Sequence, residues 1–321
     1  MQLRLTIVLL ALGFSALARQ QPSPRDTSFT TYSAYTSALK KYPFITVAKP
    51  PIPATVQSKA NLVYCRLGGR SLHVDVFYPP TKGKKLIPAV LLIHGGGWRS
   101  GDRWQHWPMA QQIAGRGYVA ITVEYRLSTE ALYPAAVNDV KTAIRWVRAN
   151  AKAYHIDTNK IALWGFSAGG QLATLVGTTG GSALFAGNGV YTKYSDKVQA
   201  IVDVDGTLAF IHPESGEGDD SKRKSAGTLW FGYNKTERPD LWHQAGALNH
   251  VDAKTPPIAF INSAVDRMHA GRTDVVHKLD SLHIYSEIHA LPDTPHPFCL
   301  FNPWFETTLN FTVAFLDKVF R

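Results

Sequence analysis

The segment Gly165-Phe166-Ser167-Ala168-Gly169 constrains this chain more than any other. It is entered from the apolar run Ile161-Ala162-Leu163-Trp164 and left through a helical pattern over residues 168–176, so the spacing places a serine on a strand-to-helix turn. Such a turn forces the serine into a strained backbone, and the flanking glycines supply the close approach it requires. The Ser167 hydroxyl then stands exposed at the end of a strand. Ala168, opening the helix, directs its backbone N–H at negative charge developing on that site.

The surrounding pattern fixes the fold class. Residues 72–78 alternate like a half-exposed strand, whereas residues 88–93 and 118–123 are unbroken apolar runs of the kind that both faces of a parallel sheet bury. Residues 134–149 carry Ala136, Val137, Val140, Ile144 and Val147 at helical spacing. Short strands follow at 161–164, 198–204, 258–262 and 284–291, with a closing helix at 304–320. This alternation of strand and helix predicts an α/β fold with a mainly parallel sheet. Residues 207–249 read as an irregular insertion that covers a site, and residues 19–60, dense in proline, as an extended arm. The catalytic domain is then 61–321.

A second motif, His94-Gly95-Gly96-Gly97-Trp98, directly follows the apolar run ending at Ile93. Three residues without side chains let the backbone approach a substrate carbonyl, so N–H groups of Gly96 or Gly97 pair with that of Ala168 as an oxyanion hole. His94 precedes the elbow and reads as a loop-orienting residue.

With these motifs the chain resembles the α/β-hydrolase superfamily. It looks most like secreted carboxyl-ester hydrolases of the acetylesterase, hormone-sensitive-lipase-like and bacterial feruloyl-esterase-like groups. HGGGW at 94–98, Tyr125-Arg126-Leu127 with Tyr133-Pro134-Ala135 and Asp139, and GFSAGG at 165–170 carry that resemblance over residues 60–321. It implies partners in the order serine, acid, histidine. His296, in the loop after the last strand, is the expected base; His283 and His289 read as structural or surface histidines. For the acid, Asp266 lies just past the strand at 258–262, and Asp274, beyond His269-Ala270-Gly271-Arg272, is its rival. The His212-Pro213-Glu214-Ser215 and 298–305 segments resemble esterases associated with plant cell-wall polysaccharide. The aromatic residues of 298–305, with Trp98, Trp104 and Trp107, read either as core or as faces for a sugar ring or acyl group.

Composition narrows the alternatives. The 321 residues are 45% hydrophobic and 18% charged, which excludes a largely disordered chain. Two cysteines, Cys65 and Cys299, are too few for a disulfide framework and lack zinc-ligand spacing. No phosphate-cradling glycine loop and no HExxH is present, so no cofactor and no metal is expected. The formal charge of +10 is dispersed, with small clusters at Lys82/Lys84/Lys85 and Lys222/Arg223/Lys224, and no nucleic-acid motif accompanies it. Residues 1–18 read as a cleavable secretory signal: Arg4, then an apolar run too short to span a bilayer, then Ala16 and Ala18 flanking Leu17. An exported serine esterase without stable membrane insertion is the expectation. Its substrate is a polysaccharide ester or a small ester, and the rivals are a general small-acyl carboxylesterase and a catalytically silent hydrolase fold that binds glycan.

Overall fold

The computed structural model describes residues 26–80 and 85–321; the signal segment and Lys82 and Lys84 lie outside the described residues. Helix α1 (Thr31–Ala38) and strand β1 (Thr46–Val47) come first. Then follow β2 (Gln57–Leu67), β3 (Arg70–Tyr78), β4 (Ile87–Ile93), α2 (Trp107–Gly115), β5 (Val119–Val123) and α3 (Ala135–Ala149). The elbow lies between β6 (Ile156–Phe166) and α4 (Ala168–Thr178), and β7 (Ala200–Val204) comes next. The chain ends with α5 (Ala226–Phe231), α6 (Pro239–Gln244), β8 (Ile258–Asn262), α7 (Arg272–Ser281), β9 (Ser286–Ala290), β10 (Phe301–Asn302) and α8 (Trp304–Phe320).

Eight strands form one sheet in the order β2-β3-β5-β4-β6-β7-β8-β9. β2 and β3 are antiparallel to their neighbours, and every pairing from β5 to β9 is parallel. The expected α/β fold with a mainly parallel sheet is therefore present. The pleat explains why the inner strands read as unbroken apolar runs. Ala89, Leu91 and Ile93 of β4 enter one core with α3, α4 and α7, while Val90 and Leu92 enter the other with α1, α2 and α8. β9, at the sheet edge, is only half-buried.

The proline-rich lead-in differs from the extended arm expected of it. From Thr31 it is helical, because Thr30 and Ser33 form a reciprocal capping box: each hydroxyl accepts from the other's backbone N–H, at 3.0 and 2.9 Å. Ala34, Ala38, Tyr42, Ile45 and Ala48 are buried in the second core, and β1 pairs with β10. Cys65 and Cys299 are both buried and unpaired, in different cores on opposite faces of the sheet. Among the described residues no helix is long and apolar enough to cross a membrane.

Parallel pairing gathers the carboxyl ends of the strands along one edge, where open α/β sheets bind ligands. β4 ends at Ile93 before His94, β6 at Phe166 before Ser167, and β7 at Val204 before Asp205. β4 and β7 flank β6 directly, so whatever follows them lies beside Ser167.

Candidate active site

Ser167 occupies the strained turn anticipated from its glycines, with φ 57° and ψ −122°. A non-glycine residue held there costs on the order of 1–3 kcal/mol, which surrounding packing must offset. The packing is close: a Cβ built at Gly165 would lie 2.0 Å from the Gly169 carbonyl oxygen, and one at Gly169 would lie 2.1 Å from that of Ile93. The Ser167 backbone N–H donates to the Val204 oxygen at 2.8 Å, tying the elbow to β7.

His296 Nε2 lies 2.8 Å from Ser167 Oγ. Its ring is held from below by Phe166, at a centroid distance of 4.9 Å. On the far side, His296 Nδ1 lies 2.9 Å from Oδ2 of Asp205, whose side chain is fully buried. The other carboxylate oxygen, Oδ1, accepts the backbone N–H of Ser263 at 2.8 Å. Asp205 has φ 53°, a left-handed conformation that aspartate tolerates better than most residues. The serine and histidine expected from the sequence therefore meet.

The acid is corrected. Asp266 opens a 3₁₀ turn over Asp266–His269 that carries its side chain outward; the carboxylate is 95% exposed and lies 3.9 Å from His269 Nε2. Asp274, on α7, is half-exposed and lies 3.1 Å from His212 Nε2. Neither faces His296. Asp205, directly after β7, takes the place, because its carboxylate is the one that reaches His296 Nδ1. His289 is structural as expected, stacked on Phe311 at 3.9 Å and bonded to Glu287.

The loop after β4 is a tight turn. Gly96 and Gly97 have φ of 127° and 58°, and the Gly96 carbonyl accepts from the N–H groups of Arg99 and Ser100 and from the Ser100 hydroxyl. Gly95 N–H donates to Gln105 Oε1 at 2.9 Å. His94 stacks on Tyr125 at 4.3 Å, and the Tyr125 hydroxyl donates to the His94 carbonyl, so this histidine orients the loop. Trp98 stacks on Trp230 of α5 at 4.6 Å and donates through Nε1 to Gln171 of α4. The 207–249 region thus packs on this loop through Trp230, and it is more ordered than its polar sequence suggests: Phe210, Trp230, Phe231 and Trp242 form one aromatic cluster. Around Asp139 the pattern is structural: this buried carboxylate grips Arg126 through both oxygens and also accepts from Asn188.

The 298–305 aromatics are mostly core, with Phe298, Phe301 and Phe305 buried. Trp107 donates from Nε1 to Asp75, whereas Trp104 is 47% exposed.

His106, packed edge-on to Trp164 beneath the loop, is buried, with its Nε2 unpartnered among the described residues. Burial first, and then nearby His94, push its pKa down from 6.5 to about 3. Unfolding restores the ordinary value, so the unfolded chain binds the extra proton between these limits. Stability from keeping His106 neutral is therefore complete above pH 6.5 and is lost as pH falls toward about 3, on the order of 1.4 kcal/mol per pH unit. Urea unfolding of His106→Phe is expected to show a shallower loss of stability on acidification than the unmodified protein. Parallel curves would contradict this.

Comparison with known proteins agrees with the fold. Residues 74–272 match the BD-FAE family model, and the chain belongs to that family. Carboxylesterase NlhH of Mycobacterium tuberculosis is 38% identical over 110 residues, covering 34% of this chain and 34% of that protein. The probable carboxylic ester hydrolase LipM of the same organism is 26% identical over 202 residues, covering 62% of this chain and 46% of that protein. The matches thus span about a third and about a half of those relatives. A truncated carbohydrate esterase from gut microbiota superposes with a TM-score of 0.67 at 23% identity, over 84% of this chain and all of that one. The butyrate-bound Est2 esterase of Thermogutta terrifontis does so with a TM-score of 0.67 at 23% identity, over 87% of this chain and 97% of the other.

Proposed function

We propose that this member of the BD-FAE family is an exported serine carboxyl-ester hydrolase that removes acyl or methyl esters from plant cell-wall polysaccharide, pectin or xylan, through an acyl-enzyme. The observation that carries the reaction class is the continuous chain from Ser167 Oγ through His296 to buried Asp205, at 2.8 and 2.9 Å, on a strained elbow. Ser167 attacks the ester carbonyl while His296 Nε2 takes its proton. The oxyanion sits on backbone N–H groups of Ala168 and of Gly96 or Gly97. His296 then protonates the departing alkoxide, and a water activated by the same imidazole cleaves the acyl-enzyme to regenerate Ser167. Asp205 holds the imidazole in the tautomer that leaves Nε2 free to accept.

The names of the structural neighbours, the resemblance of the 212–215 and 298–305 segments, and the surplus of basic residues support the polysaccharide reading. Export rests on the sequence of residues 1–18. The names of the curated relatives favour a second reading, a small-acyl carboxylesterase. Rates on acetyl-, methyl- and feruloyl-decorated pectin and xylan, set against p-nitrophenyl acetate, separate the two. Polysaccharide esters are expected to be cleaved with the higher kcat/KM; a preference for the aryl ester leaves the small-acyl reading standing.

The charge makes a narrower prediction. If the +10 net charge accumulates an acidic polymer at the site, the rate ratio of acetylated pectin to acetylated xylan falls as salt rises from low millimolar to above about 0.15 M, where charges are screened beyond about 8 Å. A ratio that does not move with salt rejects electrostatic accumulation, even if pectin is the better substrate.

A further inference from the structure

A second buried carboxyl joins the turn bearing Asp205 to the helix bearing Ser167. Asp203 lies on β7 two residues before Asp205, fully buried between Gly165 of β6 and Phe260 of β8. Its Oδ1 accepts the Gly206 backbone N–H at 2.7 Å, and its Oδ2 lies 2.7 Å from Thr174 Oγ1 on α4. The joint has no slack. A Cβ built at Gly206 would lie 2.5 Å from both Asp203 Oδ2 and the Gln171 nitrogen, and one at Gly170 would lie 3.0 Å from the Gly206 Cα.

Burial beside a like charge favours the neutral form of this carboxyl. A threonine hydroxyl has one proton to give. Thr174 Oγ1 lies 2.7 Å from Asp203 Oδ2 and 3.0 Å from the Gly170 carbonyl oxygen, and its one proton can go to either. A neutral acid leaves every partner satisfied, whereas an ionised one would have only the Gly206 N–H and the Thr174 hydroxyl to offset its charge; Gly170 and Gln171 of α4 and strand neighbours Gly165 and Phe260 are not cationic. The charged group acting on it is Asp205, of like sign.

We propose that Asp203 is a positioning residue for the triad, acting as a protonated acid that pins the Asp205 turn to the nucleophile helix. The inference rests on Asp205 being the triad acid. Burial, reinforced by Asp205, pushes the Asp203 carboxyl up to about 7 despite the opposing hydrogen bonds. Rising pH therefore ionises Asp203 and sets a second negative charge behind Asp205.

The test uses the full chain and p-nitrophenyl acetate. Asp203→Asn keeps an oxygen for Gly206 and offers Thr174 an N–H, imitating the neutral acid; its kcat at about pH 6 is expected within about threefold of the unmodified enzyme. As pH rises through about 7, the unmodified enzyme should lose activity relative to this variant. Asp203→Leu removes both bonds, and a loss of about tenfold or more in kcat with little change in KM is expected. Infrared difference spectra should show a protonated-carboxyl C=O band that Asp203→Asn lacks. The proposal is overturned if Asp203→Asn, folded by its melting curve, loses as much activity as a folded Asp203→Leu, or if the carboxyl band is absent at about pH 6. Should Asp203→Leu fail to fold, the Asn profile and the band decide alone. Asp205→Asn measured alongside separates the premise: full activity there removes the triad assignment, and Asp203's positioning role with it.

Discussion

Asp205→Asn is expected to lower kcat by about 10⁴-fold with little effect on KM or on melting temperature. The carboxylate binds the proton on His296 Nδ1, which leaves Nε2 as the acceptor facing Ser167 Oγ. An amide in its place can present its NH₂ to Nδ1, and the imidazole then adopts the tautomer whose Nε2 carries a proton and cannot take one from serine. The backbone at this position is kept, because asparagine tolerates the positive φ of Asp205 as aspartate does. Asp266→Asn, at an exposed side chain, is expected to change kcat by less than about threefold, and Asp274→Asn likewise. Steady-state rates for the three variants at one pH settle the ranking. If Asp266→Asn or Asp274→Asn is the more damaged, the assignment moves to that residue.

The second large effect is at the nucleophile. Ser167→Ala is expected to abolish acyl-enzyme turnover, a loss of about 10⁶-fold in kcat. It leaves the fold intact, because the hydroxyl's hydrogen-bond partner is His296 and not a buried structural group. Loss of activity with an unchanged thermal transition is the expected pair of observations; near-native activity with that same transition removes Ser167 from the mechanism.

How far the sequence revealed this site depended on how local each part is. Ser167 and the 94–98 loop were legible because both are short turns whose glycines are demanded by contacts within a few residues or with an adjacent strand, such as the 2.0 Å approach of a Gly165 Cβ to the Gly169 oxygen. His296 was legible from chain order and its place after β9, the last strand of the eight-stranded sheet. Asp205 was not, because it meets His296 across 91 residues and its eligibility depends on strand order. From sequence, the ends of both β7 and β8 offered an aspartate, and the helical turn that swings Asp266 into solvent has no strong local signal. The run Asp203-Val204-Asp205-Gly206 did hold a clue: two acids closing the next apolar strand after the nucleophile helix, where burial demands a reason for charge. The lead-in was misread for a similar reason. Its prolines outweighed the capping pair Thr30 and Ser33, and the alanines at 34 and 38, one helical turn apart, had no visible partner until α8 closed the second core.

One measurement addresses the central claim most directly. The intact protein is mixed with diethyl p-nitrophenyl phosphate, which phosphorylates an activated serine, and weighed by mass spectrometry with peptide mapping. A single diethylphosphoryl adduct on Ser167 is predicted, formed with concurrent loss of activity toward p-nitrophenyl acetate, absent in Ser167→Ala, and greatly slowed in Asp205→Asn. No adduct, or an adduct on another residue that forms equally in Ser167→Ala, would contradict a serine hydrolase built on Ser167, His296 and Asp205.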